Sequence, residues 1–283
     1  MIVHFPAGNV NYTLRGKLKV RQDSRIGRRG ALLAALVLGA AARTGLARAR
    51  PASSTVRIAA ASDLKFALAE LARQYERQSA NRVQLSLGSS GQFAQQIRQG
   101  LPVDLYMAAD EAFVFQLADA GLTQGRGALY ALGRIAAAVP AASRVELDPA
   151  LRGLVAAGAA IRHFAIANPE HAPYGRAARE ALERLGLWPW AQARLVTGEN
   201  IAQTTQFVTS GAAQAGITAL SLALAPEVAK LARHVLLPAS LHAPLRQRMV
   251  LLKSAGPAAR DFYEFMQTAA AREVLRRYGF AFE

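Results

Sequence analysis

The 283-residue chain is 52% hydrophobic and 7% aromatic, which excludes a disordered polypeptide and supplies apolar area for one large core or two medium ones. With no cysteine, it has no disulfide, thiolate metal site, thiol nucleophile or lipid-modified N-terminal cysteine. The formal charge of +15 sits partly in the first 49 residues and otherwise on scattered arginines, without aromatic interleaving, so nucleic acid is not an expected partner.

Arg25, Arg28 and Arg29 lead into the apolar run ALLAALVLGAAA, residues 31–42. These twelve residues fall short of the roughly 20 that a membrane-spanning helix needs. A basic stretch, a short apolar run and the small-x-small site Ala47-Arg48-Ala49 predict a leader and export signal over residues 1–49, cleaved after Ala49. The Arg28-Arg29 pair suggests twin-arginine export, although Gly30-Ala31 fits that motif poorly, and residues 1–24 read as an extra leader or an over-long start. Cleavage removes nine Lys/Arg and one Asp, leaving a formal +7. The product is expected to be soluble, periplasmic and free of stable membrane insertion.

From Val56 onward, short β-like runs alternate with amphipathic helices. VRIAAA (residues 56–61) precedes a helix with Leu64, Leu68, Leu71 and Tyr75 on one face, and VQLSL (83–87) precedes one with Phe93, Ile97 and Leu101. DLYMAAD (104–110) predicts a third strand, followed by a helix ending near Gly121. LYALGRIAAAVP (129–140) reads as one long β-like run. A second series follows: HFAIA (163–167), a helix over 174–185, a helix over 201–209 and the run AQAGITAL (213–220). The run from Arg246 to Lys253 and two helices ending at Tyr278 complete the chain. This alternation predicts an α/β fold with mainly parallel sheets flanked by helices, in two lobes joined by strands rather than a flexible tether.

In such folds ligands bind beyond the carboxyl ends of strands, where helix N-termini offer free N–H groups and partial positive charge. Four predicted helix mouths carry suggestive residues: Ser62-Asp63, Ser89-Ser90-Gly91, Pro173-Tyr174-Gly175 and Glu199-Asn200-Ile201. Each also reads as ordinary capping, and Ser89-x-x-Gln92 fits a capping box. Ser90 is then a second hydroxyl surplus to capping, between glycines that permit close backbone approach.

Catalytic alternatives have weaker support. Gly88-Ser89-Ser90-Gly91-Gln92 fails the G-x-S-x-G nucleophile elbow at Gln92. Ser62 and Lys65 satisfy S-x-x-K, the basis of an alternative serine-hydrolase reading, but the companion S-D-N and K-T-G elements are absent. The five histidines are dispersed, which gives no metal-hydrolase pair, and His171 reads as a loop residue.

The stretches AAASDLKFALAELARQYE (59–76), LGSSGQFAQQIRQGLPVDLYMAAD (87–110), ANPEHAPYGRAAREALERLGLW (167–188) and the closing RYGF (277–280) resemble the periplasmic molybdate-binding proteins of ABC transporters, within the type II periplasmic binding protein fold. The resemblance implies two lobes, residues 50–131 plus 239–283 and residues 132–238, closing around a tetrahedral oxyanion. By position, Ser62 and Ser90 would donate from the first lobe through hydroxyl and backbone, and the N–H groups of Tyr174 and Ile201 from the second. The Asp63 N–H would be an extra donor, its carboxylate pointing away.

The same resemblance implies a receptor without enzymatic activity or cofactor. Its ligand would be molybdate, and tungstate too, and its partners a membrane permease and its ATPase; a monomer is expected. Sulfate or another small oxyanion is the alternative cargo, separated only by pocket size. An effector domain of a transcription factor shares the fold but is opposed by the export signal and the missing DNA-binding helix pair. Many members carry a ligand-binding tyrosine where this chain has Ala219, so Tyr174, Thr218 and Ser221 become candidates to fill that space.

Overall fold

The computed structural model describes residues 53–283, and the expected leader and export signal lie outside them. Among the described residues no helix is long and apolar enough to cross a membrane. In chain order the elements are β1 (Thr55–Ala61), α1 (Lys65–Gln78), β2 (Arg82–Gly88), α2 (Ser90–Arg98), β3 (Leu105–Ala108), α3 (Glu111–Asp119), β4 (Ala128–Gly133) and β5 (Ile135–Pro140). Then come α4 (Arg152–Ala156), β6 (Phe164–Ala167), α5 (Pro173–Arg184), α6 (Trp188–Gln192), β7 (Leu195–Gly198), α7 (Ile201–Thr209) and β8 (Ala215–Ala219). The last are α8 (Leu220–Ala223), α9 (Pro226–Ala229), β9 (Ala232–Leu236), β10 (Leu245–Leu251), α10 (Pro257–Phe265) and α11 (Ala269–Arg277).

The strands form two five-stranded sheets, ordered β2-β1-β3-β10-β4 and β7-β6-β8-β5-β9. In the first sheet β1 pairs in parallel with β2 and β3, while β10 runs antiparallel to both β3 and β4. The second repeats this pattern, with β6 parallel to β7 and β8, and β5 antiparallel to β8 and β9. Four strands of each sheet therefore point one way around a single reversed strand, which makes the sheets mixed in pairing yet mainly parallel in direction.

The apolar periodicities account for the packing. Leu68, Leu71 and Tyr75 of α1 are buried, and join Val56 and Ile58 of β1 in a core that also contains Phe262, Val274 and Leu275 from α10 and α11. The opposite face of this sheet is covered by Phe93 and Ile97 of α2 with Val114 and Leu117 of α3. Around the second sheet, Ile135, Phe164, Ile166 and Ile217 pack against Ala178, Ala181 and Leu182 of α5.

Three details differ from the sequence expectations. Residues 62–64 form a 3₁₀ turn, and the α-helix starts only at Lys65. The helix expected to include Leu101 stops at Arg98, because Gly100 adopts φ +95° and the Leu101 N–H bonds back to the Gln96 carbonyl at 2.9 Å. The long run over 129–140 is not one strand: β4 belongs to the first sheet and β5 to the second, with Arg134 between them. The chain returns to the first sheet between β9 and β10, so two crossings connect the lobes.

Candidate functional site

The chain passes from the ends of β1, β2, β6 and β7 into helices, β6 by way of residues 168–172, and these four turns meet around one tight hollow of about 10 Å³. Its lining is residues 61–63, 88–90, 109, 172–174 and 201, taken from both lobes. No lysine, arginine or histidine is among them. The structure thus brings Ser62, Asp63, Ser90, Tyr174 and Ile201 together across up to 139 residues of sequence, from position 62 to position 201.

Ser90 opens α2 and is buried. Its Oγ accepts the Ala109 N–H at 2.9 Å, leaving the hydroxyl proton to donate, and its carbonyl accepts the Tyr106 hydroxyl at 2.7 Å. Ser62 is engaged differently. Its hydroxyl donates to Asn200 Oδ1 at 3.1 Å and accepts the Ala202 N–H at 3.2 Å, joining the end of β1 to the mouth of α7. Asn200 caps α7, its Oδ1 accepting the N–H groups of Ala202 and Gln203, each at 3.1 Å. Tyr174 and Ile201 occupy the first turns of α5 and α7, where backbone N–H groups have no intrahelical acceptor.

The capping box expected at Ser89 is not formed. The Ser89 side chain makes no cap bond; it turns across the cleft to donate to the His171 carbonyl, and its Oγ lies 2.9 Å from His171 Nδ1. The Gly91 N–H donates to the same carbonyl at 3.0 Å. Gln92 donates to Glu199 Oε2 at 2.9 Å instead of reaching back to the helix mouth. His171 is a loop residue, as its sequence context indicates, yet its backbone is the point where the second lobe meets α2. Only the N-P-E-H stretch hinted at this contact.

Behind the hollow, Asp63 is buried and accepts at Oδ2 from the Tyr174 hydroxyl (2.9 Å) and Gln247 Nε2 (2.7 Å), while its Oδ1 has no partner. Burial pushes its carboxyl up to about 6, against the opposing pull of the Gln247 and Tyr174 hydrogen bonds. Burial, with the Asp63 charge second, holds the Tyr174 phenol well above its ordinary range and keeps it a donor.

Of the three residues considered for the space at Ala219, only Tyr174 lines the hollow. Thr218 is hydrogen-bonded to Thr205, and Ser221 donates to the Asp63 carbonyl at 2.8 Å. Lys65 is exposed, with its Nζ 5.3 Å from the Phe66 ring centroid, while the Ser62 hydroxyl is taken by Asn200, so the S-x-x-K pair is not assembled for catalysis. No group of three or more metal-ligating side chains occurs among the described residues.

The sequence of the bacterial extracellular solute-binding protein family matches residues 56–281. The molybdate-binding protein ModA of Azotobacter vinelandii is 31% identical, over 84% of this chain and 94% of its own length. ModA of Rhodobacter capsulatus is 30% identical over 90% of this chain and 97% of its own. The solved periplasmic molybdate-binding protein of Azotobacter vinelandii superposes with a TM-score of 0.74 at 30% identity, over 81% of this chain and 99% of that one. With its two lobes, its cleft of neutral donors and these matches, the chain belongs to the bacterial extracellular solute-binding proteins, which are transport receptors and not enzymes.

Proposed function

We propose that this protein captures molybdate, and tungstate as a second cargo, in the periplasm and delivers it as a monomer to a membrane permease and its ATPase. The observation that carries this reading is the convergence of four strand-to-helix turns from both lobes on a small hollow without a cationic side chain. Similarity to molybdate-binding proteins over most of the chain supports the choice of cargo. Export by the signal over residues 1–49 belongs to the same reading. So does a lobe division into residues 50–131 plus 239–283 and residues 132–238.

The oxyanion would receive hydroxyl and backbone bonds from Ser62 and Ser90, the Ser62 hydroxyl turning its proton from Asn200 Oδ1 to the anion, and backbone N–H bonds from Asp63, Tyr174 and Ile201. Neutral donors suffice because the site is desolvated and helix N-termini add fixed positive potential. Donors from both lobes favour the closed state, so binding shifts the population toward closure. The groups that would face the anion are N–H and O–H donors, the Asp63 carboxylate being turned to the Tyr174 hydroxyl and Gln247, so hydrogen phosphate would be rejected for its unpaired hydroxyl.

Calorimetric titration with molybdate, tungstate, sulfate and phosphate, in buffer free of all four, tests the reading. Submicromolar molybdate binding with sulfate far weaker is the expected result. Equal sulfate binding would rename the cargo, and no binding by any oxyanion would reject the receptor. In the same assay Ser90→Ala should weaken molybdate by about 1–3 kcal/mol, the cost of leaving a charged acceptor one donor short. Unchanged affinity would remove Ser90 from the site.

A further inference from the structure

Tyr174 has two ends with different tasks. Its backbone begins α5 beside the hollow, and its phenol reaches into the base of the first lobe. There the hydroxyl donates to Asp63 Oδ2 at 2.9 Å and accepts from Gln247 Nε2 at 3.0 Å. Gln247 also donates to Asp63 Oδ2 at 2.7 Å and accepts the Tyr130 hydroxyl through Oε1 at 2.7 Å. Both amide hydrogens and the amide oxygen are therefore used, and the partners fix which way the amide faces. Gln247 is completely buried, at a register shift of β10, the strand that follows the return crossing.

Gly133, at the other crossing, closes the arrangement from the side: a Cβ there would lie 2.5 Å from the Tyr174 hydroxyl and 2.7 Å from Gln247 Nε2. Of these groups only Tyr174 comes from the second lobe.

We propose that Gln247 is a positioning residue for oxyanion capture: with Asp63 it grips the Tyr174 phenol and so holds the first turn of α5 in place against the first lobe when the cleft is closed. A tyrosine ring is rigid, so fixing its oxygen fixes the backbone that carries the N–H donor. Separating the lobes would break the bonds to Tyr174 and strip a buried carboxylate of a donor, which slows opening once the anion is in place. The absence of a side chain at Gly133 makes room for both partners, since a Cβ there would collide with the phenol oxygen and the amide. Of these residues only Tyr174 and Asp63 line the hollow, so Gln247 acts through them.

This inference rests on the oxyanion reading, and the test separates the two. Molybdate binding to the whole protein is measured by calorimetry and by rapid-mixing kinetics for the native protein, Tyr174→Phe, Gln247→Leu and the double variant. Each single variant should weaken binding about tenfold, with nearly all of the loss in the dissociation rate and the association rate within twofold. The double variant should lose no more than the weaker-binding single variant, because both break one device. Without anion, the unfolding midpoint of Tyr174→Phe should stay within a few degrees of native.

Affinity of Tyr174→Phe within twofold of native, or losses that simply add in the double variant, would overturn the proposal. If Gln247→Leu does not fold, Tyr174→Phe decides alone, since it removes one oxygen and keeps the ring and the N–H. Absence of molybdate binding by the native protein would overturn the receptor reading and this inference with it; binding by the native protein that the variants match would overturn only the grip.

Discussion

Replacing Gly91 by alanine should weaken molybdate binding at least a hundredfold while leaving the anion-free protein as stable as before. The reason lies in where α2 meets the second lobe. A Cβ at position 91 would lie 2.7 Å from the His171 carbonyl oxygen and 3.1 Å from the His171 Cα, and backbone cannot swing aside as a long side chain does. The Gly91 N–H and the Ser89 hydroxyl both donate to that same oxygen, so the intruding methyl pushes apart the contact that brings the mouths of α2 and α5 together.

Gly91 is the second residue of α2, in its first turn, where the helix-interior preference for alanine over glycine does not apply, so the anion-free stability should hardly change. Function should thus fall while stability holds. Calorimetry with molybdate and a thermal melt without it measure both. Affinity within fivefold of native would show that the 168–172 loop yields and that this contact is not needed for closure.

The second large effect concerns Asp63 and pH. Unfolded, its carboxyl loses its proton near 3.8; folded, it keeps it to about 6 because burial penalises the charge. Between those values the folded state binds more protons than the unfolded one, so raising the pH drains stability across the window from about 4 to about 6. The shift corresponds to a loss on the order of 3 kcal/mol, fully felt above pH 6 and absent below pH 4.

Asp63→Asn has no proton to lose. Its unfolding free energy, followed by denaturant titration from pH 4 to pH 8, should therefore gain on the native protein by that amount through the window. Parallel profiles for the two proteins would show that the carboxyl titrates normally. A charge that costs stability at neutral pH and is nonetheless bonded to Tyr174 and Gln247 fits a residue kept for position rather than for strength.

Much of the architecture is legible in the chain because buried strands and amphipathic helices carry opposite periodicities. The α1 face of Leu68, Leu71 and Tyr75 and the buried run of β6 are examples. What escaped is equally physical. β7 and β9 are the two edges of the second sheet, only partly buried, and β9 carries Arg233 and His234, so neither shows a clean apolar pattern. The break at Arg134 is hidden because apolar residues continue on both sides of it, and no periodicity records that the two halves belong to different sheets.

At the site, the mouths themselves could be picked out from local chemistry, since Ser62-Asp63, Ser89-Ser90-Gly91 and Asn200-Ile201 stand at strand-to-helix turns. Their bonding could not. Ser89 has the sequence of a cap yet bonds to a carbonyl 82 residues away, and Asp63 finds its partners 111 and 184 residues further on. Gln247 stands between Arg246 and Arg248, a polar setting in the sequence that gives no sign of a buried amide.

The strand order sets a schedule for folding. In the first sheet β4 has no bond to β3; the two are joined only through β10, which lies between them and is made more than a hundred residues after β4. The second sheet is contiguous, from β5 to β9, and every strand it needs exists before β10 has been synthesised. A chain produced from its N-terminus can complete the second sheet first, while β4 waits as an unpaired edge. Closing that long loop is a nonlocal, slow event, and it makes the C-terminal forty residues the part whose loss the first sheet could least survive.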